Sequence, residues 1–316
     1  MQIGILEPNQ FSEKAITSLE KLGTVKIFNE KDDLSKFLTD KHVIFVRLKY
    51  FLNKEMLNCA TQLAYVCSPT TGHNHIDRDY LDLRGIKLIS LKGEVSFLNT
   101  IRATPEHTFG LVLALLRNYK ISFCDMQKNF KDRELLKGFE IYQKNIGIIG
   151  LGRVGRIISE YFTCFGAKVS FFDIKEVTHS TKINKANSLE ELVNNNDVII
   201  LCASYSINNI NMISENLLEL MKGKYFVNTA RGELVNEPAL LKKVQSNHFQ
   251  GLAIDVLSNE NGCHNLNKLR KLSRLRNVII TPHIAGATYE SMSRTEEFIA
   301  SKLTLLLKSQ IAIHKI

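Results

Sequence analysis

The sequence predicts an α/β protein built from two doubly wound parallel-sheet domains. Three observations carry that prediction. The 316 residues are enough for two domains of about 150 residues each. Short β-branched runs alternate with longer segments of helical periodicity, the pattern of βαβ units. The strand-like runs also fall into two series, with a long apolar helix candidate between them.

The first series is 2–6, 25–28, 43–46, 63–67 and 87–89, and the second is 145–149, 168–172, 197–202, 225–228, 251–254 and 278–281. Helical periodicity marks 12–22, 104–120, 153–165, 237–245 and 288–307. Segment 104–120 opens with a Thr cap, Pro105 at the first helical position and Glu106 in the first turn. Its apolar residues Phe109, Leu111, Val112, Leu113, Leu115 and Leu116 run almost all round, so the helix should be buried on several faces and connect the domains. A helix over 288–307 that returns to the first domain makes that domain discontinuous.

Hydrophobic residues make up 44% and charged residues 23%, which supplies two cores and excludes a disordered chain or a disulfide-stapled miniprotein. The net charge of +9 is spread along the chain, which favours solubility and a small anionic ligand over nucleic acid. The cysteines at 59, 67, 124, 164, 202 and 263 form neither a CxxC pair nor a Cys/His cluster with zinc spacing, so no metal is expected and a reducing compartment is. The opening MQIGILEP lacks a basic n-region, and the apolar stretch 109–116 is too short to span a bilayer. The reading is a cytoplasmic protein without membrane contact.

The sharpest local signal is NIGIIGLGRVGRIISEYFTCFGAKVSFFD, residues 145–173. A strand runs into Gly150, Gly152 and Gly155, a helix follows at once, and the next strand ends at Asp173. Gly150 makes the tight turn, Gly152 admits a pyrophosphate to the backbone, and Gly155 lets helix and strand approach. The N–H groups around Arg153 and Val154 face the phosphate charge at the helix N-terminus. Asp173 accepts from the ribose hydroxyls and repels a 2′-phosphate, so the cofactor is NAD rather than NADP. Strand, glycines, helix and terminal acid in this order form the context a Rossmann dinucleotide site requires.

Three further segments end predicted strands in the same half: VNTARG at 227–232, AIDVLSNE at 253–260 and TPHIAG at 281–286. Ligands of open parallel sheets bind at the carboxyl ends of strands. Arg231, Glu260 and His283 are therefore expected to converge on the cofactor. A cation, an imidazole and a carboxylate that holds the imidazole are the groups a hydride transfer to a 2-oxo acid needs.

These motifs, with GFEIYQKN at 138–145, EHTFGLVLALLRN at 106–118 and TTGHNHID at 70–77, resemble the D-isomer-specific 2-hydroxyacid dehydrogenase family, in a short, phosphoglycerate dehydrogenase-like form without a regulatory domain. The resemblance implies a flavodoxin-like substrate domain (1–99 plus 289–316) and a Rossmann NAD-binding domain (100–288). It implies that Arg231 binds substrate, Glu260 pairs with His283, and His283 is the general acid/base. Beside the three glycines it implies cofactor contacts at Arg153, Val154, Asp173, Cys202, Thr229, Ala230, Asp255 and Gly286. Backbone amides near Leu48, Thr71 and Gly72 would receive the substrate carboxylate, and the protein would be a homodimer. The chain departs from the family's usual pattern at Asn261, where Pro follows the Glu, at Cys202–Ala203–Ser204, where H-x-P is common, and at His73–Asn74–His75, where Val, Asp and Asn are common.

Other features have blander readings. His73 and His75 lack further ligands at metal spacing. The basic run Lys268, Arg270, Lys271, Arg274 and Arg276 beside Leu266, Leu269, Leu272 and Leu275 reads as a solvated helix face with an apolar underside. Lys92 and Arg102 are candidates to favour a doubly anionic substrate. Two alternatives stay open on the same scaffold: an NAD-sensing binding protein, as in the C-terminal-binding-protein corepressors, and a dehydrogenase of a small anion such as phosphite or formate.

Overall fold

A computed structural model describes residues 1–125, 133–134, 136–258, 265–274 and 277–313. The chain divides into two compact units, Met1–Ile101 with Ala287–Ile316, and Arg102–Gly286.

The first unit holds β1 (Gln2–Ile5), β2 (Thr24–Ile27), β3 (Val43–Phe45), β4 (Tyr65–Ser68) and β5 (Lys87–Ser90), all parallel in the order β2-β1-β3-β4-β5. That is the flavodoxin-like order, with its switch point between β1 and β3. Helix starts are written into the sequence: the Ser12, Asp33, Asn53 and Asp77 side chains accept from the amides of Ala15, Lys36, Met56 and Tyr80. One face of the sheet buries Ile3, Ile5, Val43, Phe45 and Cys67 against Ala15, Leu19, Ile299, Ala300 and Leu303. The other buries Leu6, Ile44, Val46 and Val66 against Leu38, Leu57 and Leu81. The C-terminal helix Tyr289–Ile313 thus belongs to this unit's core. It is also fastened by charge, since Glu296, wholly buried, accepts from Arg47 and from the Ser12 amide.

The second unit holds β6 (Asn145–Ile149), β7 (Lys168–Phe172), β8 (Ile183–Lys185), β9 (Val198–Leu201), β10 (Tyr225–Asn228), β11 (Gly251–Ile254) and β12 (Val278–Ile280). All pairs are parallel, in the order β12-β11-β10-β9-β6-β7-β8. The chain reverses direction across the sheet between β6 and β9, the doubly wound Rossmann pattern. β9, β10 and β11 are buried at every position, as strands covered on both faces must be. Helices Ala103–Leu116 and Arg153–Cys164 cover one face through Leu111, Val112, Leu115, Ile158 and Phe162. Helices such as Glu237–Gln245 and Leu266–Ser273 cover the other.

Every expected strand forms, and one was not expected. β8 has three residues at the sheet edge with only Ile183 buried, so no apolar run announces it. The single helix expected over 104–120 is a correction. Helix Ala103–Leu116 starts earlier, with Arg102 as a cap residue whose side chain makes no capping bond. The Thr104 carbonyl instead accepts from the Thr108 hydroxyl. The helix stops because Asn118 adopts φ 51°, a left-handed residue that an α-helix cannot absorb, and a second helix, Tyr119–Asp125, follows. In the basic helix Leu266–Ser273, Leu269 is buried with Leu266 and Leu272 beside it; Leu275 and Arg276 lie outside the described residues. Among the described residues no helix is long and apolar enough to cross a membrane.

Candidate active site

Strand register builds the site. Phe172, Ile149, Leu201, Asn228, Ile254 and Ile280 are successive Cα partners across β7, β6, β9, β10, β11 and β12. The residues that follow this level row are Asp173, Gly150, Cys202, Thr229, Asp255 and Thr281. Residues far apart in the chain therefore leave the sheet side by side at the carboxyl ends of its strands.

At the β6 end, Gly150 has φ +93° and a Cβ there would lie 2.8 Å from Ala203 backbone atoms. A Cβ on Gly155 would lie 2.2 Å from the Gly150 carbonyl oxygen, so the helix sits directly on the turn. Gly152 caps helix Arg153–Cys164, and a Cβ there would meet nothing within 4 Å. Open space thus lies before a helix end whose leading N–H groups have no intrahelical acceptors and whose dipole is positive. Asp173 Oδ2 accepts from the Leu151 amide at 2.8 Å and Oδ1 from the Lys175 amide at 2.9 Å. Each carboxylate oxygen keeps acceptor capacity for a hydroxyl. Burial, and then the charge of Arg102, lower the Arg153 guanidinium from its usual value, so two cations share this end of the unit. Burial pushes the Cys202 thiol up to about 12, which keeps a thiolate away from a phosphate. These residues fit a dinucleotide.

The Asn228 side chain shapes the β10 turn, accepting from the Ala230 amide and donating to the Arg231 carbonyl, both at 3.0 Å. Thr229 is buried and its hydroxyl lies 2.7 Å from that of Thr108. The Arg231 guanidinium is half-buried and donates to the Ala230 carbonyl at 2.6 Å. Gly232 cannot carry a side chain, because a Cβ would lie 2.0 Å from the Leu257 carbonyl carbon. Glu260 lies outside the described residues. The residues that flank its segment are both held by buried Glu237, which accepts from the Ser258 amide and from Asn265 Nδ2 at 2.8 Å each.

Asp255 organises the loop after β12. Its Oδ1 accepts from Thr281 Oγ1 at 2.6 Å and the Ile284 amide at 2.9 Å, and its Oδ2 from the Ala285 amide at 2.9 Å. Its carbonyl accepts from the His283 amide at 2.8 Å. Burial alone would raise this carboxyl, but hydrogen bonds from His107, Thr281 and the two amides outweigh it and hold the group below its ordinary 3.8. His283 is half-buried with φ 54°, and Gly286 is exposed at the end of the loop.

In the first unit, Glu7 follows β1 and accepts from the amides of Arg47, Leu48 and Lys49 at 2.9, 3.3 and 3.2 Å. The Leu48 amide therefore faces the chain's own carboxylate. Burial raises the Glu7 carboxyl despite those three amides. Thr71 is exposed after β4, and the Gly72 carbonyl accepts from Thr70 Oγ1 at 3.0 Å. Lys92 is exposed. A cavity of about 610 Å³ elsewhere in this unit, lined by Arg78, Leu81, Ile86, Lys87, Lys302 and Leu306, contains none of the candidate residues.

Glu7, His107, Thr108, Asn228, Glu237 and Thr281 take part in these arrangements and were not anticipated as site residues. Asn228 was legible in principle as the polar end of a buried strand. The others are single polar residues at strand or helix ends, and their partners are distant in sequence.

Residues 109–285 match the family model described as D-isomer specific 2-hydroxyacid dehydrogenase, NAD binding domain. The chain belongs to the D-isomer specific 2-hydroxyacid dehydrogenase family. Its second unit is this family's NAD-binding domain, and its cofactor is NAD. The family member is 28% identical to D-3-phosphoglycerate dehydrogenase of Methanocaldococcus jannaschii over 98% of this chain and 58% of that protein. It is 29% identical to the Escherichia coli K12 enzyme of the same name over 92% of this chain and 71% of that protein. The family member thus spans little more than half the length of the first relative. Among solved structures, D-lactate dehydrogenase from Aquifex aeolicus complexed with NAD and lactic acid superposes with a TM-score of 0.84 at 27% identity, covering 99% of this chain and 97% of that one.

Proposed function

We propose that the protein is an NAD-dependent oxidoreductase that interconverts a 2-oxo acid and its D-2-hydroxy acid. The observation that carries the reading is the level row of strand ends, from which the glycine turn, Asp173, Thr229–Arg231, Asp255 and the His283 loop all emerge. The first unit is the substrate domain in this reading, and Thr71 and Gly72 offer amides to the substrate carboxylate. The Leu48 amide, engaged by Glu7, holds its own loop instead.

NADH, when bound, supplies hydride to the substrate's C2. Arg231 holds the substrate carboxylate and polarises the carbonyl. His283, cationic and paired with Glu260, gives its proton to the developing alkoxide oxygen; in the reverse direction the neutral imidazole takes the proton from the hydroxyl. The guanidinium and imidazolium stabilise the negative charge that develops there. Gly150, Gly152 and Gly155 admit the pyrophosphate to the amides of Arg153 and Val154. Asp173 takes the ribose hydroxyls, and Cys202, Thr229, Ala230, Asp255 and Gly286 line the remainder of the cofactor site. Arg102, whose charge reaches Arg153, is the candidate of the second unit to meet a further anionic group.

The natural assembly in this reading is a homodimer. Phe123, Phe139, Tyr142 and Phe165 of the second unit are exposed, and a second copy of the chain would cover apolar side chains of this kind. The test of function is a panel of 2-oxo acids assayed with NADH by loss of near-ultraviolet absorbance. Turnover of at least about 1 per second with one of them is expected. Failure with every acid, together with intact NADH binding, favours the NAD-sensing alternative.

A further inference from the structure

The loop carrying His283 hangs from one buried carboxylate, and that carboxylate has a partner outside the sheet. His107 Nε2 lies 3.3 Å from Thr281 Oγ1 and 3.6 Å from Asp255 Oδ1. Counting hydrogens settles the direction of these bonds. The single hydroxyl hydrogen of Thr281 goes to Asp255 at 2.6 Å, so the Thr281 oxygen can only accept from His107. His107 Nε2 therefore carries a hydrogen donated to the Thr281 oxygen, with the Asp255 carboxylate 3.6 Å away.

The placement of this contact gives it a consequence. His107 and Thr108 are consecutive residues of helix Ala103–Leu116, and they touch the ends of three neighbouring strands, Thr108 at Thr229 after β10 and His107 at Asp255 and Thr281 after β11 and β12. The chain passes from one unit to the other at Ile101/Arg102 and at Gly286/Ala287. His107 follows the first crossing, and Thr281 to Ala285 precede the second, so Asp255 ties both to the same point of the second unit. Within that clamp His283 keeps a left-handed backbone, which a non-glycine residue holds only where its surroundings over-determine it.

We propose that His107 is a positioning residue for His283. Its Nε2–H locks the Thr281–Asp255 pair, and that pair holds the amides of His283, Ile284 and Ala285 so that the imidazole is presented in one orientation. The inference rests on the reading of His283 as the acid/base, but part of its test does not.

The test compares His107→Leu, which removes the donor, with His107→Gln, whose side-chain amide can restore it. Two quantities are read: amide hydrogen exchange at Ile284 and Ala285, which needs no turnover, and kcat with KM for NADH. In His107→Leu, exchange at both amides should accelerate and kcat should fall about 100-fold, the scale expected of a misplaced catalytic group, with KM for NADH unchanged. In His107→Gln both should return most of the way to the parent. Unchanged exchange in His107→Leu, or exchange in His107→Gln that stays as fast as in His107→Leu, overturns the proposal. So does a lowered Tm with kcat unchanged, since that marks a merely structural residue. If the parent turns over no 2-oxo acid, the exchange pattern alone decides whether His107 holds the loop, and the functional reading fails separately.

Discussion

Asp173 shows how much a single side chain does here. It closes the dinucleotide fingerprint, and the structure adds a second duty, because its Oδ2 accepts from the Leu151 amide inside the glycine turn. Replacing it by Ala removes the ribose acceptor of the proposed reading and its repulsion of a 2′-phosphate together, and leaves that amide without its acceptor at a cost of about 1 kcal/mol. Asp173→Ala should bind NADH more weakly and narrow the preference for NADH over NADPH, read as the ratio of the two Kd values. An unchanged ratio would mean that another group reads the ribose. The three glycines and Asp173 were legible because each answers a local demand of strand, turn and helix. Glu7 was not legible. It stands at the end of β1, and its role appears only when the chain returns with the Arg47–Lys49 amides after β3.

Among elements, the loop over residues 281–286 is held by Asp255. One carboxylate accepts a hydroxyl and two amides there, and the pH dependence of that grip has a definite sign. The Asp255 carboxyl lies below its ordinary 3.8, so the unfolded chain binds the extra proton first as pH falls. Its contribution is complete above 3.8 and is lost as pH falls through the folded value. Asp255→Asn should be less stable than the parent at neutral pH by about 1–3 kcal/mol, since an amide cannot accept from all of these donors. The gap should narrow on acidification below 3.8, as urea midpoints measured on either side of that pH would show. A gap that does not change with pH would show that the carboxylate's charge is not what holds the loop. The sequence announced this loop as TPHIAG at a strand end. It did not announce that helix Ala103–Leu116 reaches the same place through His107, because helical periodicity marks which face is apolar and not which polar residue meets a distant strand. The early stop of that helix has a similar origin, in the backbone of Asn118 rather than in any break in the apolar pattern.

For the molecule as a whole, both sheets and nearly every strand could be read from apolar runs, because a parallel sheet buries its strands on both faces and leaves continuous hydrophobic signatures. The edge strand β8 lacks that signature and was missed. Convergence at strand ends was legible, but the exact register was not, since it depends on packing across the sheet. The exposed aromatic group of the second unit yields a prediction at this scale: sedimentation should give the mass of two chains, and Phe165→Glu with Tyr142→Glu should shift the protein toward one. A monomeric parent at micromolar concentration would refute the dimer.

His283→Gln bears most directly on the central claim. With a 2-oxo acid the parent reduces, single-turnover oxidation of NADH by this variant should be slower by about 100- to 10,000-fold, the usual worth of a general acid, while its Kd for NADH stays at the parent value. A variant that oxidises NADH at close to the parent rate would contradict the assignment of the acid/base to the loop that Asp255 holds.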